Sequence, residues 1–191
     1  MSSVVLCVAL VAEVLAAISV LVSIALPHRR VWPPPRQRSW VGYLMWLLFL
    51  VSGVGVVALG LIDWGGFHFA LWIRWVVGVP LWCAGNVLAL WAIAVLGIAS
   101  TFGDAGSLVR RGPYRFSRNP QYLGFIAGLI GWAFVAGSAL TLVASLVGTI
   151  PLVLVPFAEE PWLMARQGAA YEEYKRTVPR FISFSRRNDA A

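Results

Sequence analysis

Residues 119–158 read NPQYLGFIAGLIGWAFVAGSALTLVASLVGTIPLVLVPFA, a run with no charged side chain. As one helix rising about 1.5 Å per residue, it would be twice as long as a bilayer core of about 30 Å is thick. Folded at Gly137-Ser138 it becomes a hairpin of two spans, and that reading decides the fold. Upstream, Val4 to Leu26 is a first span interrupted only by Glu13. HRRVWPPPRQR then forms a basic, proline-stiffened loop that cannot continue a helix. Trp40 to Ile62 is a charge-free second span, DWGGFHF (63–69) returns the chain, and a third span runs from about Ala70 to Leu96 with Arg74 near its start. The expectation is an all-α membrane protein of five transmembrane helices. It forms a single membrane domain, with three N-terminal spans in 1–96. A loop, the helical hairpin and a C-terminal helical cap make up 97–191.

Composition agrees. Of 191 residues, 60% are hydrophobic and 12% charged, and the mean hydropathy is +0.79. A soluble domain carries about a quarter charged residues. An ordinary soluble enzyme, a disordered chain and a disulfide scaffold are therefore excluded. Cys7 and Cys83 sit in apolar runs and read as packing residues. The first apolar stretch lacks a positive region before it, so it reads as a retained span instead of a cleaved signal.

The net charge of +7 matters less than its placement. Four Arg lie in 27–39, four in 97–120, and five Arg plus Lys175 follow Glu159; Arg74 alone falls elsewhere. The positive-inside rule then puts the N-terminus outside and the C-terminus in the cytoplasm. The preference for Arg over Lys points to a bacterial inner membrane. No repeat suggests an inverted-repeat transporter, and Glu13, Arg74 and Asn86 are too few for an ion pathway. Glu13 fits a buried structural or interface role about as well as a substrate contact.

Charged and aromatic residues concentrate in LVRRGPYRFSRNPQYLG (108–124), and in AEEPWL (158–163) followed by YEEYKRTVPRF (171–181). A plain cytoplasmic anchor needs only arginines. Gly112-Pro113, Asn119-Pro120, Tyr114 and Tyr122 interleaved with them specify a backbone shape with aromatic faces. Glu159 and Glu160 end the charge-free hairpin beside this basic loop. They suit either neutralisation of the arginines or a zwitterionic ligand, with acids for an amine and arginines for a carboxylate. In the segment after them, Tyr171, Tyr174 and Val178 recur at helical spacing, with Gly168 as a break.

The order of these motifs resembles the integral membrane methyltransferases related to isoprenylcysteine carboxyl methyltransferase and phospholipid methyltransferases. Their pattern runs glycine, x, tyrosine, then arginine-histidine-proline, x, tyrosine, x, glycine. A hydrophobic hairpin, a double glutamate and a tyrosine-rich segment ending near a proline-arginine follow. The resemblance covers about Leu108 to Phe181. It implies a cytoplasm-facing pocket for S-adenosylmethionine. Gly112, Tyr114, Arg118, Pro120, Tyr122 and Gly124 match the first motif, Glu159 and Glu160 the double glutamate, and Tyr171, Tyr174 and Arg180 the closing segment. Asn119 stands where the family has histidine. An amide still donates and accepts hydrogen bonds, but it cannot act as an imidazole base. On this resemblance Arg118, Asn119 and Arg180 carry the reacting centre, and the other matched residues, with Arg118 and Asn119, hold the cofactor.

The chemistry fits these residue types. Carboxylates suit the cofactor's ammonium, and tyrosine faces suit its sulfonium and purine. Transfer to an anion neutralises charge, which a dehydrated site favours. A lipophilic carboxylate or thiolate acceptor needs no strong base. A phospholipid amine would need one, and remains a third option. SGVGVVALG (52–60) lies within a span, so its glycines read as helix packing and not a nucleotide loop. Gly124-x-x-x-Gly128 reads the same way. His28 and His68 fall on opposite sides of the membrane and cannot share a metal, and no nucleic-acid partner is implied. The rival readings are an NADPH-dependent membrane reductase of the sterol-reductase type, which shares an arginine-x-proline-x-tyrosine loop, and a non-enzymatic scaffold.

Overall fold

The computed structural model describes residues 1–34, 39–67, 70–101 and 106–182, whose regular elements are all helices, with no strand among them. Helix α1 covers Ser2–Ala25 and α2 covers Trp40–Ile62. A π-helical turn, Ile73–Gly78, leads into α3, Val79–Leu96, so the third span is Ile73–Leu96. A single turn α4 (Ile98–Thr101) precedes the motif loop. Then come α5 (Pro120–Ala136), α6 (Ala139–Gln167) and α7 (Ala169–Thr177). Four helices are long and apolar enough to cross a membrane: α1, α2, the third span and α6. The expected fourth span, α5, has 17 residues. That is about 26 Å, slightly short of a bilayer core. Arg36, Arg38, His68, Arg186 and Arg187 lie outside the described residues.

The hairpin turns at Gly137-Ser138. Gly137 ends α5 in the left-handed conformation (φ 60°), and Ser138 caps α6 by accepting from the Thr141 N–H. Left-handed backbone suits glycine, and a serine hydroxyl satisfies one of the free N–H groups of a new helix. The Asp63–Phe67 link docks on this turn, with the Gly65 and Phe67 N–H groups donating to the Ala136 and Gly137 carbonyls. Arg74 closes the same end. Its Nε and Nη2 donate to the Val135 and Ala136 carbonyls, and its guanidinium stacks over Trp64 at 4.8 Å. A cation on the last carbonyls of α5 is the favoured sign there.

Small residues bring the helices together, as bilayer packing demands. The most extensive contact is α3 on α5. A Cβ on Gly124 would meet the Ala89 N at 2.5 Å, and one on Gly85 or Gly131 would run into the facing backbone. Ala9, Ala12, Ala16 and Val20 form the buried stripe of α1 against α2 and α6. Gly55 lets α1 approach α2 at Ala9, and Gly60 makes room for Trp132. Leucines and valines elsewhere, such as Leu50 and Val54, stay exposed because lipid is their solvent.

One departure concerns the cap. The expected cap begins at Glu159, but residues 159–167 continue α6, which runs unbroken for 29 residues through Pro151, Pro156 and Pro161. The break comes at Gly168 (φ 54°, ψ −132°), and α7 then turns back. The glutamates therefore sit on the spanning helix itself.

Candidate functional site

Three segments far apart in sequence converge at one end of the bundle: the loop after α1, the motif loop before α5, and the end of α6 with its tail. The motif loop and the tail are tied through the backbone. The Arg118 N–H donates to the Pro179 carbonyl at 2.9 Å. Ser117 Oγ and Asn119 Nδ2 both donate to the Arg180 carbonyl, at 3.2 and 3.0 Å. Asn119 thus uses its amide donor to hold the tail. Pro120 starts α5, where its missing N–H is harmless.

The two glutamates have different partners. Glu160 is buried and accepts from Arg180 Nε and Nη2 at 2.8 and 2.7 Å, a bidentate pair, while Arg118 Nη2 lies 3.1 Å from its Oε1. Glu159 Oε1 accepts from Trp32 Nε1 at 2.8 Å and from the Tyr122 hydroxyl at 2.7 Å. Adjacent helical residues point about 100° apart, which sends one carboxylate into the ion pairs and the other toward a cavity.

That cavity, of about 110 Å3, is lined by Tyr114, Arg118, Tyr122, Glu159, Tyr171 and Tyr174 together with Asn119. Arg118 is the cation among its described lining residues. The Arg118 side chain is 8% exposed, and its Nε and Nη1 are buried without a partner. Glu160 balances its charge, but part of its hydrogen-bonding complement stays unmet. Tyr174 donates to the Tyr114 carbonyl at 2.6 Å and packs edge-on against Tyr171. Burial pushes the Tyr174 phenol up to about 12, and raises Tyr114 and Tyr171 as well, so all three stay neutral near pH 7. Hydrogen bonding to Glu160 raises Arg180 above its ordinary value.

Of the other expected site residues, Gly112 (φ 58°) turns the loop against Val95, and Gly124 packs on α3. Pro120, Glu160 and Arg180 brace the loop from behind the cavity. Sequence reasoning passed over Gln121, Trp162 and Trp32. Gln121 and Trp162 line the cavity, and each lies inside a motif already quoted. Trp32, in the proline loop, gave no signal.

A second, larger hollow of about 750 Å3 adjoins the first and shares Thr101, Gln121 and Tyr122 with it. It runs between α2, α3, α5 and α6, and its walls are chiefly apolar, including Trp46, Phe49 and Leu129. The small cavity alone is below the usual size of a ligand site, and only with this groove does it reach it. No group of three or more possible metal ligands occurs among the described residues.

A model of the phospholipid methyltransferase family matches residues 73–169, half of the chain. A steroid 5-alpha-reductase, DET2 of Solanum lycopersicum, is 26% identical over 111 residues, covering 58% of this chain and 43% of its own length. The chain thus spans less than half of that curated relative. No solved structure matches.

Proposed function

This chain belongs to the phospholipid methyltransferase family, and we propose that it transfers a methyl group from S-adenosylmethionine to a lipophilic acceptor at the cytoplasmic face of the membrane. The observation that carries this reading is that the Glu159 carboxylate and the Arg118 guanidinium line one small cavity together with three tyrosines of the motif loop and tail. An amino-acid tail presents the complementary pair, an ammonium and a carboxylate. Glu159 would hold the ammonium, Arg118 the carboxylate, and the tyrosine rings the sulfonium and purine. Bound there, the cofactor supplies a methyl group on a positively charged sulfur.

The chain's own residues do the rest. Glu160 and Arg180 fix the Arg118 guanidinium, and Asn119 fixes the tail over the loop. The apolar groove receives the body of the acceptor and excludes water from its reacting end. A carboxylate or thiolate acceptor enters already ionised, its lone pair takes the methyl, and it leaves neutral. No imidazole base is required, which fits asparagine at 119. Dehydration of the anion favours this charge-neutralising step.

The basic ends support a cytoplasmic site. The loop after α1, the motif loop and the tail gather at the end that carries nearly every described Arg and Lys, and Arg74 closes the other. Reporter fusions at Gly66 and after Ala191 are expected on opposite sides, the former outside; the same side for both defeats this topology.

The similarity to a steroid 5-alpha-reductase favours a second reading, an NADPH-dependent membrane reductase. A dinucleotide carries several phosphates, and a single lining arginine suits it poorly. Titration of the detergent-purified protein with S-adenosylhomocysteine and with NADPH decides between them. Binding of the first alone is the expected result. Tight NADPH binding without it would establish the reductase.

A further inference from the structure

Thr101, Gln121 and Tyr122 line both hollows and so mark where the small cavity meets the apolar groove. Any transfer between a ligand in one and a ligand in the other passes this junction. Two of the three side chains have their hydroxyl hydrogens committed. Tyr122 donates to Glu159 at 2.7 Å, and Thr101 donates to the Gly97 carbonyl at 3.0 Å. Gln121 differs. It is 8% exposed, its amide has no hydrogen-bond partner among the described residues, and neither amide atom is sealed from the hollows. Glu13, elsewhere on the groove, is the opposite case: its unmet Oε2 is walled in and open to no ligand. A buried amide calls for partners, and Gln121 keeps its donors and its acceptor at a surface that a ligand touches.

The backbone favours an anion at the same place. Gln121 is the second residue of α5, whose first turn has no side-chain cap. Asn119 precedes that turn, but its Nδ2 is spent on the Arg180 carbonyl. The positive end of the α5 dipole is therefore left without an acidic or capping side chain, and such an end attracts negative charge. The charges nearby point the same way. Arg118 and Arg180 balance Glu159 and Glu160 at this end of the bundle. One net positive charge comes with bound S-adenosylmethionine, from its ammonium, carboxylate and sulfonium together, and one anion in the groove cancels it. A protonated amine there would leave two positive charges in a dehydrated place.

We infer that Gln121, at the start of α5, holds the reacting carboxylate of the acceptor and selects it over a thiol or an amine. The Gln121 Nε2 hydrogens donate to one carboxylate oxygen, and the other oxygen is left to attack. That oxygen bonds to the methyl carbon as the carbon–sulfur bond breaks, and the electron pair of the broken bond stays on sulfur. The products are a neutral ester and S-adenosylhomocysteine. A neutral donor suits the task, because an arginine or lysine in its place would repel the sulfonium and hold the anion in an ion pair. Sulfur accepts hydrogen bonds weakly, so a thiol gains less from the amide. What happens to the carboxylate rests on the methyltransferase reading. The anion preference of the junction does not.

The test uses the full-length protein in detergent with three probes that share one chain and differ at the head: hexadecanoate, hexadecane-1-thiol and hexadecan-1-amine. Hexadecanoate is expected to bind about 10-fold or more tightly than the other two, the effect of a hydrogen bond to a charged group. Gln121→Leu should remove that preference. Gln121→Glu, close to the native side chain in shape, should reverse it in favour of the amine, an outcome that a merely structural glutamine would not give. Where Gln121→Leu does not fold, Gln121→Glu and the comparison of heads on the unaltered protein still decide. Equal affinity for the three heads overturns the proposal. So does a carboxylate preference that survives both variants, which would place the anion at Arg118 instead. A parallel titration with S-adenosylhomocysteine separates the two readings. A preference that depends on Gln121 without cofactor binding would remove the transferase and keep the carboxylate site, and cofactor binding without the preference would do the reverse.

Discussion

Glu159→Gln is expected to weaken S-adenosylhomocysteine binding about 10- to 150-fold and to leave the fold intact. A charge-assisted hydrogen bond is worth about 1.5–3 kcal/mol, and each 1.4 kcal/mol is tenfold in affinity. The substitution isolates the charge. A glutamine carbonyl can still accept from Trp32 Nε1 and the Tyr122 hydroxyl, the two donors now on Oε1. Calorimetric titration beside a thermal melt checks both halves. Unchanged affinity would mean that no ammonium sits at Glu159, and would return the glutamates to simple neutralisation of the nearby arginines.

Glu160→Gln is expected to act through stability instead. Glu160 is the shared counter-charge of Arg118 and Arg180. Removing one partner of a buried ion pair costs about 3–5 kcal/mol, because the remaining charge is left uncompensated. The Arg118 side chain is 8% exposed and takes nearly the full penalty; Arg180, at 32%, is partly relieved by water. The lower end of that range is therefore expected. Arg180 bridges the tail to α6, so hydrogen exchange should rise first in α7 and in residues 178–182, with the melting temperature falling as well. Cofactor affinity should fall alongside, since Arg118 loses its orientation. Intact protection of α7 in this variant would show that the backbone ties at Arg118, Ser117 and Asn119 suffice alone.

The gathering of the motif loop and the tail around one candidate cavity was legible because both segments announce themselves chemically. Tyr114, Arg118, Asn119, Tyr122, Glu159, Tyr171 and Tyr174 do line one cavity. Gly112, Pro120 and Gly124 belong to the same motifs but do backbone work, shaping the loop and seating α5 on α3. Sequence spacing cannot separate those duties. Residues that touch a ligand and residues that shape the loop recur at the same intervals.

The sequence by itself determined four apolar helices long enough to cross a membrane, the hairpin turn and the clustering of the arginines, but not that α5 would reach only 17 residues. Each follows from local rules: the length of a charge-free run against the thickness of a bilayer, the conformational freedom of Gly137, and the cost of burying arginine in lipid. Helix ends were set less well, since α6 continues past its glutamates to Gly168 where a cap was expected. Only the tertiary structure decided which glutamate faces the cavity. That choice depends on the rotation of α6 about its axis, and the rotation is set by partners more than 30 residues away, Trp32 and Tyr122 among them. The same holds for Glu13, whose unmet oxygen exists only because α1, α2 and α6 meet around it. Spans are dictated by the solvent each residue prefers, and local sequence records that preference; the facing of a side chain within the bundle is a property of the packed helices together.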